Sequence, residues 1–222
     1  MPRRQRLRAP TPTADASMRL ERLSADPVGG VWYDLAGSNN GTPSDPAILV
    51  GFVFDGVADH IDTAGPSGAA DPAADWTVTA WVARDHLHLG AVNVGQTRSG
   101  LDGFILGRDT SAAAANPLKF EVFNPYAAHT VIPAPADSDF HHVAWAWDAD
   151  GGAPARLTVH VDGVQVYSSS SVAYTGGAPW VIGGDGAAVF WKGKISSFRV
   201  YPRLLSADEL ARDYQAGRAA NQ

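Results

Sequence analysis

The sequence has no cysteine, few glutamates and no long apolar run. None of its 222 residues is cysteine, so neither disulfides nor thiolate metal ligation can hold the fold, and apolar burial has to do so. No apolar stretch approaches the roughly 20 residues that span a bilayer, so we expect no membrane association. The N-terminal stretch also lacks the apolar segment of a secretory signal, which argues against Sec-dependent export.

The scarcity of glutamate bears on catalysis. Glu21, Glu121 and Glu209 are the only glutamates, and they are widely separated in the sequence. Retaining glycoside hydrolysis usually needs two carboxyl groups about 5 Å apart. A G-x-S-x-G elbow and a glycine-rich phosphate loop are absent as well. We therefore expect no enzymatic activity and no catalytic residues.

Positive charge is concentrated at the N-terminus. Six of the 17 lysines and arginines fall in the first 22 residues, against two acidic residues there, while the rest of the chain is acidic. The sequence thus predicts a basic arm over residues 1–25, with Arg3, Arg4, Arg6 and Arg8 available to bind a partner. Such an arm can dock on an acidic protein or on nucleic acid, although it has no aromatic residue for base stacking. A solvated leader without a partner is the alternative.

Short apolar runs rich in Val, Ile, Phe and Trp recur from Val31 onwards, separated by Gly, Pro, Asp, Asn and Ser. This pattern predicts an all-β domain over residues 26–222, a two-sheet antiparallel sandwich. The predicted strands are 48–55, 75–83, 89–95, 103–108, 118–123, 141–147, 156–161, 164–167, 179–184 and 193–201.

Two local motifs fix details of this domain. Asp162-Gly163 joins two alternating runs and predicts a hairpin with a type I′ turn. Ser206 and Glu209 have the spacing of a capping box, and they predict one short C-terminal helix over 206–217 that Gly217 ends.

The stretch DFHHVAWAWDADGG (139–152) carries adjacent histidines. Side chains alternate across a strand, so His141 shares a face with Val143, Trp145 and Trp147, while His142 lies on the other face. The two histidines cannot bind one ion from this strand, and we interpret them as structural.

Several segments, in this order, resemble laminin G-like domains of the concanavalin A-like lectin/glucanase superfamily. They are FDGVADHID (54–62), DWTVTAWV (75–82), DFHHVAWAWD (139–148), LTVHVDGVQV (157–166), WVIGGD (180–185) and KGKISSFRVYPRLLSADELARDY (192–214). The resemblance covers about residues 31–216 and implies a jelly roll whose helix packs at the end.

The resemblance also raises two kinds of chemistry. Glucanases of the superfamily carry paired acids in a Glu-x-Asp-x-Glu type motif, which is missing here. Many laminin G-like domains bind calcium, and Asp55, Asp59, Asp62 and Asp185 are suitable oxygen ligands. Relatives often have acidic residues where this chain has Ser196 and Ser197, so we expect no metal and no cofactor.

Sugar binding requires exposed aromatic rings beside amide or carboxyl groups. Asn124, Tyr126, Trp180 and Trp191 are the candidates, since each is in or next to a predicted loop. Packing of these rings in the core or on a partner is the alternative.

These observations lead to two functional hypotheses. The first is a surface-recognition or structural protein in a larger assembly, such as the decoration or adhesion protein of a phage virion. Its arm would bind a protein partner in that assembly. This hypothesis predicts a homo-oligomer or an assembly component on the virion surface. The second is a free-standing lectin-like domain that binds a glycan, with calcium dependence left open, and that is cytoplasmic or exported without a Sec signal.

Overall fold

A computed structural model of the chain describes thirteen segments. They are residues 18–21, 41–44, 47–49, 51–63, 73–85, 94–96, 105–108, 119–123, 130–133, 137–150, 156–169, 180–184 and 189–221. These residues form fifteen strands and one helix. In chain order they are β1 (Met18–Glu21), β2 (Gly41–Ser44), β3 (Ala47–Leu49), β4 (Gly51–Asp55), β5 (His60–Thr63), β6 (Trp76–Arg84), β7 (Gly95–Gln96), β8 (Ile105–Arg108), β9 (Lys119–Phe123), β10 (Thr130–Pro133), β11 (His141–Asp148), β12 (Arg156–Val161), β13 (Val164–Ser169), β14 (Val181–Ile182), β15 (Lys192–Tyr201) and α1 (Ala207–Asn221).

The strands form two sheets, and all strand pairs given for them are antiparallel. The first sheet has the order β13-β12-β11-β6-β15-β4-β3, with β1 also paired to β15. The second has the order β10-β9-β8-β7-β14-β5-β2. The mostly β architecture with one helix is therefore confirmed and is consistent with a β-sandwich, whereas the jelly-roll connectivity stays a prediction.

Long alternating runs were predicted well, and short polar strands were not. The strand at 156–161 has the expected bounds, and those of β6, β11 and β15 differ by one residue. The strands β2, β5 and β10 were missed, because they are four residues long and contain Pro, Asp or Thr in place of apolar alternation. Their pairing partners, rather than their own sequences, determine that they are strands.

Part of the predicted arm belongs to the first sheet. The segment MRLERL (18–23) is rich in residues that favour helices, but Met18–Glu21 is strand β1 and pairs with Ser197–Val200 of β15. Lys192–Ile195 of the same β15 edge pairs with β4, and the opposite edge pairs with β6. Backbone hydrogen bonding to β15 thus overrides the local helical preference. Residues 1–17 and 22–25 lie outside the described residues.

The hairpin between β12 and β13 has the predicted turn. Asp162 has a φ of 51° and Gly163 a φ of 79°, and a type I′ turn requires positive φ at both positions. Asp162 also accepts a hydrogen bond from the backbone N–H of His142 on β11, 2.9 Å away. The turn is therefore tied to the neighbouring strand.

Tryptophan rings fill the space between the sheets. Five of them belong to one apolar cluster with residues of both sheets: Trp76, Trp145, Trp147, Trp180 and Trp191. Trp76 and Trp147 stack at 6.2 Å, and Trp180 meets Phe198 edge-on at 5.3 Å. Each buried aromatic side chain removes about 150–250 Å² from water, so this cluster is a large source of folding free energy.

The helix α1 begins with the predicted capping box. The hydroxyl of Ser206 accepts the backbone N–H of Glu209, and the Glu209 carboxylate accepts the backbone N–H of Ser206. Arg203 donates two hydrogen bonds to the same carboxylate, and with the Ser206 N–H it lowers the pKa of Glu209 to about 2. Leu205 and Leu210, which have the positions of a hydrophobic staple around the capping box, are both buried in one cluster. Among the described residues, no helix is long and apolar enough to cross a membrane.

The sequence suggested that the helix ends at Gly217, but α1 continues to Asn221. A Cβ atom at position 217 would overlap the indole of Trp81. Trp81 also stacks on Tyr214, with ring centroids 5.7 Å apart. Gly217 therefore lets the last turns of α1 approach the sheet closely, which is a packing role rather than a stop signal.

We expect Gly217→Ala to destabilise the protein. In an exposed helix this change stabilises by up to about 1 kcal/mol, but here we expect a net loss on the order of 1–3 kcal/mol from overpacking against Trp81. Chemical denaturation followed by tryptophan fluorescence measures the difference. Gln215→Ala, at an exposed position of the same helix, is the matched control. A higher midpoint for Gly217→Ala would contradict this packing role.

Candidate functional site

The two histidines of β11 lie on opposite faces of the first sheet and have separate partners. The Nδ1 of His141 is 2.7 Å from a carboxylate oxygen of Asp162, and its Nε2 is 2.8 Å from Asp137. The hydrogen bond with Asp162 raises the pKa of His141 to about 9, against the opposing effect of burial and with further help from Asp137. This arrangement fastens the start of β11 to the β12–β13 turn.

His142 lies beneath α1 and is fully buried. Its Nε2 is 3.1 Å from Asp213 of the helix, and its ring contacts Trp81 and Tyr214. Arg199 of β15 forms an ion pair with the same carboxylate. Burial alone would raise the pKa of Asp213, but the hydrogen bond with His142 and the charge of Arg199 hold it below its ordinary value. The structure thus gives both histidines framework contacts.

Two of the predicted sugar-binding residues are in the core. Trp180 and Trp191 have no exposed surface and belong to the tryptophan cluster. A ring without exposed surface cannot stack on a sugar, so the expectation for these two residues is wrong. Trp180 and Trp191 were expected in or next to loops, but the cluster buries the rings.

The other predicted site residues lie outside the part of the chain that the structure describes. Asn124 and Tyr126 follow β9, and the arginines Arg3, Arg4, Arg6 and Arg8 precede β1. Their assignment to ligand and partner binding stays a prediction.

The aspartates considered for calcium form a hydrogen-bonded turn after β4. One oxygen of Asp55 accepts the backbone N–H groups of Val57 and Ala58, and Asp59 accepts the backbone N–H of Asp55. Burial would raise the pKa of Asp55, but these backbone donors hold it below its ordinary value. Within the described ranges, no three His, Cys, Asp or Glu side chains are grouped as metal ligands would be. Asp185 is not among the described residues.

A groove lies beside the start of α1 on the outer face of the first sheet, the face turned away from the tryptophan core. Its sheet side consists of Ala146, Asp148, Thr158, His160, Gln165 and Ser168. Its other side consists of Leu204, Leu205, Ala207 and Leu210. This outer-face groove has a volume of about 240 Å³, and its accessible lining is mostly polar because Leu205 and Leu210 are buried.

Strand alternation and a β-bulge produce the polar wall. Thr158 and His160 point outward from β12, since their neighbours Leu157 and Val159 point into the core. In the pairing of β12 with β13, Thr158 lies opposite Ser168 and His160 opposite Gln165, with the register shifted between Val159 and His160. The bulge therefore places both polar pairs on the same face.

His160 is the buried polar residue of the groove. The residue is 8% exposed, and its Nδ1, like the Nδ1 of His142, is buried without a hydrogen-bond partner among the described residues. Burial lowers the pKa of His160, with a smaller contribution from the charge of His142. The ring is consequently neutral at neutral pH, when it offers one donor and one acceptor.

Sequence reasoning missed this groove for a physical reason. The alternation of RLTVHV predicts which side chains of β12 point outward. It does not show that the start of α1 lies beside them, because that contact joins residues about 50 positions apart. The signal available in the sequence was His160 on the polar face of an otherwise apolar strand.

Known proteins resemble this chain in both sequence and fold. The profile of the Concanavalin A-like lectin/glucanases superfamily matches residues 55–211. No curated protein matches the chain in sequence. The structure is similar to that of the Trypanosoma rangeli sialidase, with a TM-score of 0.68 and 18% identity over 95% of this chain and 34% of the sialidase.

Two further solved structures are binding domains by their titles. The receptor binding domain of botulinum neurotoxin C/D mosaic serotype has a TM-score of 0.65 and 9% identity over 90% of this chain and 51% of that one. The binding domain of Paraclostridial Mosquitocidal Protein 1 has a TM-score of 0.65 and 13% identity over 90% of this chain and 52% of that one. The chain thus spans a third to about half of these structures, and likeness at such identities shows the fold alone.

The expectation that the chain is not an enzyme is contradicted by the sialidase structures. That expectation rested on the missing pair of catalytic acids. Sialidases depart from the two-carboxylate scheme by using a tyrosine nucleophile, so the missing pair does not exclude their chemistry. Because the match covers only 34% of the sialidase at 18% identity, it does not assign an enzymatic role either.

The contacts of His141 predict a specific pH dependence. Because its pKa is raised from 6.5 to about 9 in the folded state, its stabilising contribution is complete below pH 6.5 and is lost as the pH rises through 9. We expect a proton NMR titration to give a pKa near 9, which Asp162→Asn shifts strongly toward 6.5. Asp137→Asn, which removes the more exposed partner, is the matched control and should shift it less. A wild-type pKa below 7 would contradict the assignment.

Proposed function

The chain belongs to the concanavalin A-like lectin/glucanases superfamily, and from this premise we propose that it is a recognition module that binds carbohydrate on a surface. The observation that carries the proposal is the outer-face groove, where hydrogen-bonding side chains of β12 and β13 face the leucines beside α1. Sugars present many hydroxyl groups, so a groove lined by accessible polar side chains suits them.

The resembled structures support a binding role. Two of them are titled as binding domains, one of them receptor binding. A third is a sialidase that has been solved in complex with sialic acid. Sialylated glycans therefore belong in the first set of ligands to be tested, beside neutral ones.

We propose further that the module is a jelly roll that serves a larger assembly and is attached through the arm of residues 1–25. Support comes from the basic arginines of the arm and from β1, which fastens the arm to β15. A virion surface, the setting proposed from the sequence, rests on the sequence observations alone, namely the basic arm on an acidic chain, the missing secretory signal, the missing acid pair and the analogy between folds.

A glycan array tests carbohydrate recognition. We expect the folded protein to bind a limited set of related glycans above background, and to keep that binding in EDTA, since the ligands needed for a metal are not grouped in the described residues. The same protein after thermal unfolding is the control for non-specific adhesion. A flat array with protein of verified fold would contradict the proposed function.

Two deletions distinguish the role of the arm from the role of strand β1 in the sheet. Removal of residues 1–17 leaves β1 in place, so we expect an unchanged unfolding midpoint together with loss of self-association or partner capture. Removal of residues 1–25 also deletes β1 and uncovers half of one β15 edge, which should cost about 2 kcal/mol of stability in lost backbone hydrogen bonds. Light scattering and thermal unfolding measure the two effects. If the 1–17 deletion keeps the assembly state and the partners of the full chain, the arm has no such role.

A further inference from the structure

We propose that the outer edge of β13 is an interface at which two copies of this chain pair antiparallel and form a symmetric dimer. The strand β13 (Val164–Ser169) is the last strand of the first sheet, and among the described strands β12 is the one that pairs with it. The strand β10 of the second sheet lies close to β13 but pairs with β9. The proposal is independent of the proposed function, because it concerns the association of the chain and not its ligand.

The edges of the two sheets differ in how they are protected against pairing with another chain. Natural proteins blunt such edges with short strands, prolines or charged residues. The edge strand β3 has three residues, β1 contains two charged residues, and β2 and β10 contain Pro43 and Pro133. In contrast, β13 has six residues, VQVYSS, without proline and without charge. Within the described part of the chain, it is the edge that is most open to an added strand.

The exposed apolar side chains point to the same strand. Among the described residues, three large apolar side chains are exposed, and two of them belong to β13. Val164 is 64% exposed and Val166 is 41% exposed. Two such side chains on one unprotected edge mark a surface that another strand can cover.

The distribution of charge favours a second copy as the partner. The chain has a net charge of −6, so two copies repel each other over most of their surfaces. The sequence from 163 to 184 contains no Asp, Glu, Lys or Arg. Two identical β13 strands therefore bring no like charges together, which would otherwise destabilise their pairing.

The β-bulge makes the faces of β13 symmetric about the centre of the strand. Gln165 and Ser168 both lie on the outer face, in line with their pairing to β12. Val164 and Ser169, at the two ends of the strand, are paired with core-facing residues of β12. Residues three or five apart lie on opposite faces of a regular strand, but the bulge shifts the register within β13 and brings each pair to one face.

A two-fold axis between Val166 and Tyr167 uses this symmetry. A two-fold interface brings the same surface of both copies together, so Gln165 of one copy faces Ser168 of the second, and their amide and hydroxyl groups can hydrogen-bond. Val166 then faces Tyr167 of the second copy, and pairs of aromatic and β-branched residues stabilise antiparallel strands. One strand is a small contact beside the roughly 1,200–2,000 Å² of stable interfaces, so we expect a reversible dimer.

Sedimentation velocity of the full chain tests the dimer. We expect the sedimentation coefficient to rise from the monomer value toward the dimer value between about 1 μM and about 1 mM protein. The chain without residues 1–17 keeps β13 and should dimerise to the same extent. A full chain that stays monomeric over the whole range would contradict the proposal.

Two double variants test the register of the interface. Gln165→Lys with Ser168→Lys brings two like-charged pairs together across the axis, so we expect the dissociation constant to rise at least about tenfold. Gln165→Lys with Ser168→Glu is the matched control, because it places opposite charges at the same positions and should dimerise at least as well as the unaltered protein. Both positions are exposed, so both variants should keep the unfolding midpoint.

The net charge of the variants excludes a trivial explanation. The two lysines of the first double variant change the net charge from −6 to −4, since −6 + 2 = −4. This change reduces the overall repulsion between copies and would by itself favour association. A weaker dimer therefore reports the contact between Gln165 and Ser168 of the second copy.

The outcomes distinguish this interface from the arm. Equal dimerisation of both double variants and the unaltered protein would overturn the interface at β13. A dimer that survives in the first double variant but is lost on deletion of residues 1–17 would assign association to the arm, and it would overturn this proposal as well. Carbohydrate recognition is decided separately by the glycan array.

Discussion

The central strands of the first sheet are buried on both faces, and the rest of the structure depends on this constraint. On one face β6 and β11 contribute Trp76, Trp145 and Trp147 to the core, and on the other they are covered by α1. Polar groups beneath the helix therefore need partners inside the protein. The hydroxyl of Thr77 donates to the carbonyl of Arg203 and accepts the N–H of Leu205, and Asp213 serves both His142 and Arg199. The helix is thus a second layer of the fold.

The position of α1 also decides where the outer face stays open. The helix crosses β6, β11 and β15, where Gly217 and Tyr214 lie against Trp81. Its first turn is held beside the sheet by the capping box and by the buried Leu205 and Leu210. The outer surfaces of β12 and β13 lie beyond this cover, so the groove forms at the boundary between the covered and the open part of one sheet. The interactions that stabilise the helix therefore also shape the proposed site.

Sequence patterns predicted those parts of the fold that depend on interactions between residues close together in the chain. The alternation in β11 identified the inward face of Val143, Trp145 and Trp147, and the Asp162-Gly163 turn has the backbone that its sequence requires. Contacts between distant segments were not predictable in this way. Gly217 has the composition of a stop signal and acts as a contact with Trp81, some 136 positions away. Trp180 and Trp191 were wrongly assigned to sugar binding for the same reason, since only the packing of both sheets shows that these rings are enclosed.

Many polar groups of the described framework are satisfied by one another. His141 with its aspartates and the turn at Asp55 are examples, whereas His142 has Asp213 as the partner of its Nε2 and, within the described ranges, no partner for its Nδ1. His160 lines the groove, and its Nδ1 is buried without a partner among the described residues, as is the Nδ1 of His142 beneath the helix. The walls of the groove are fixed by β-pairing and by a capped helix, so the ordering cost of accepting a ligand there is small.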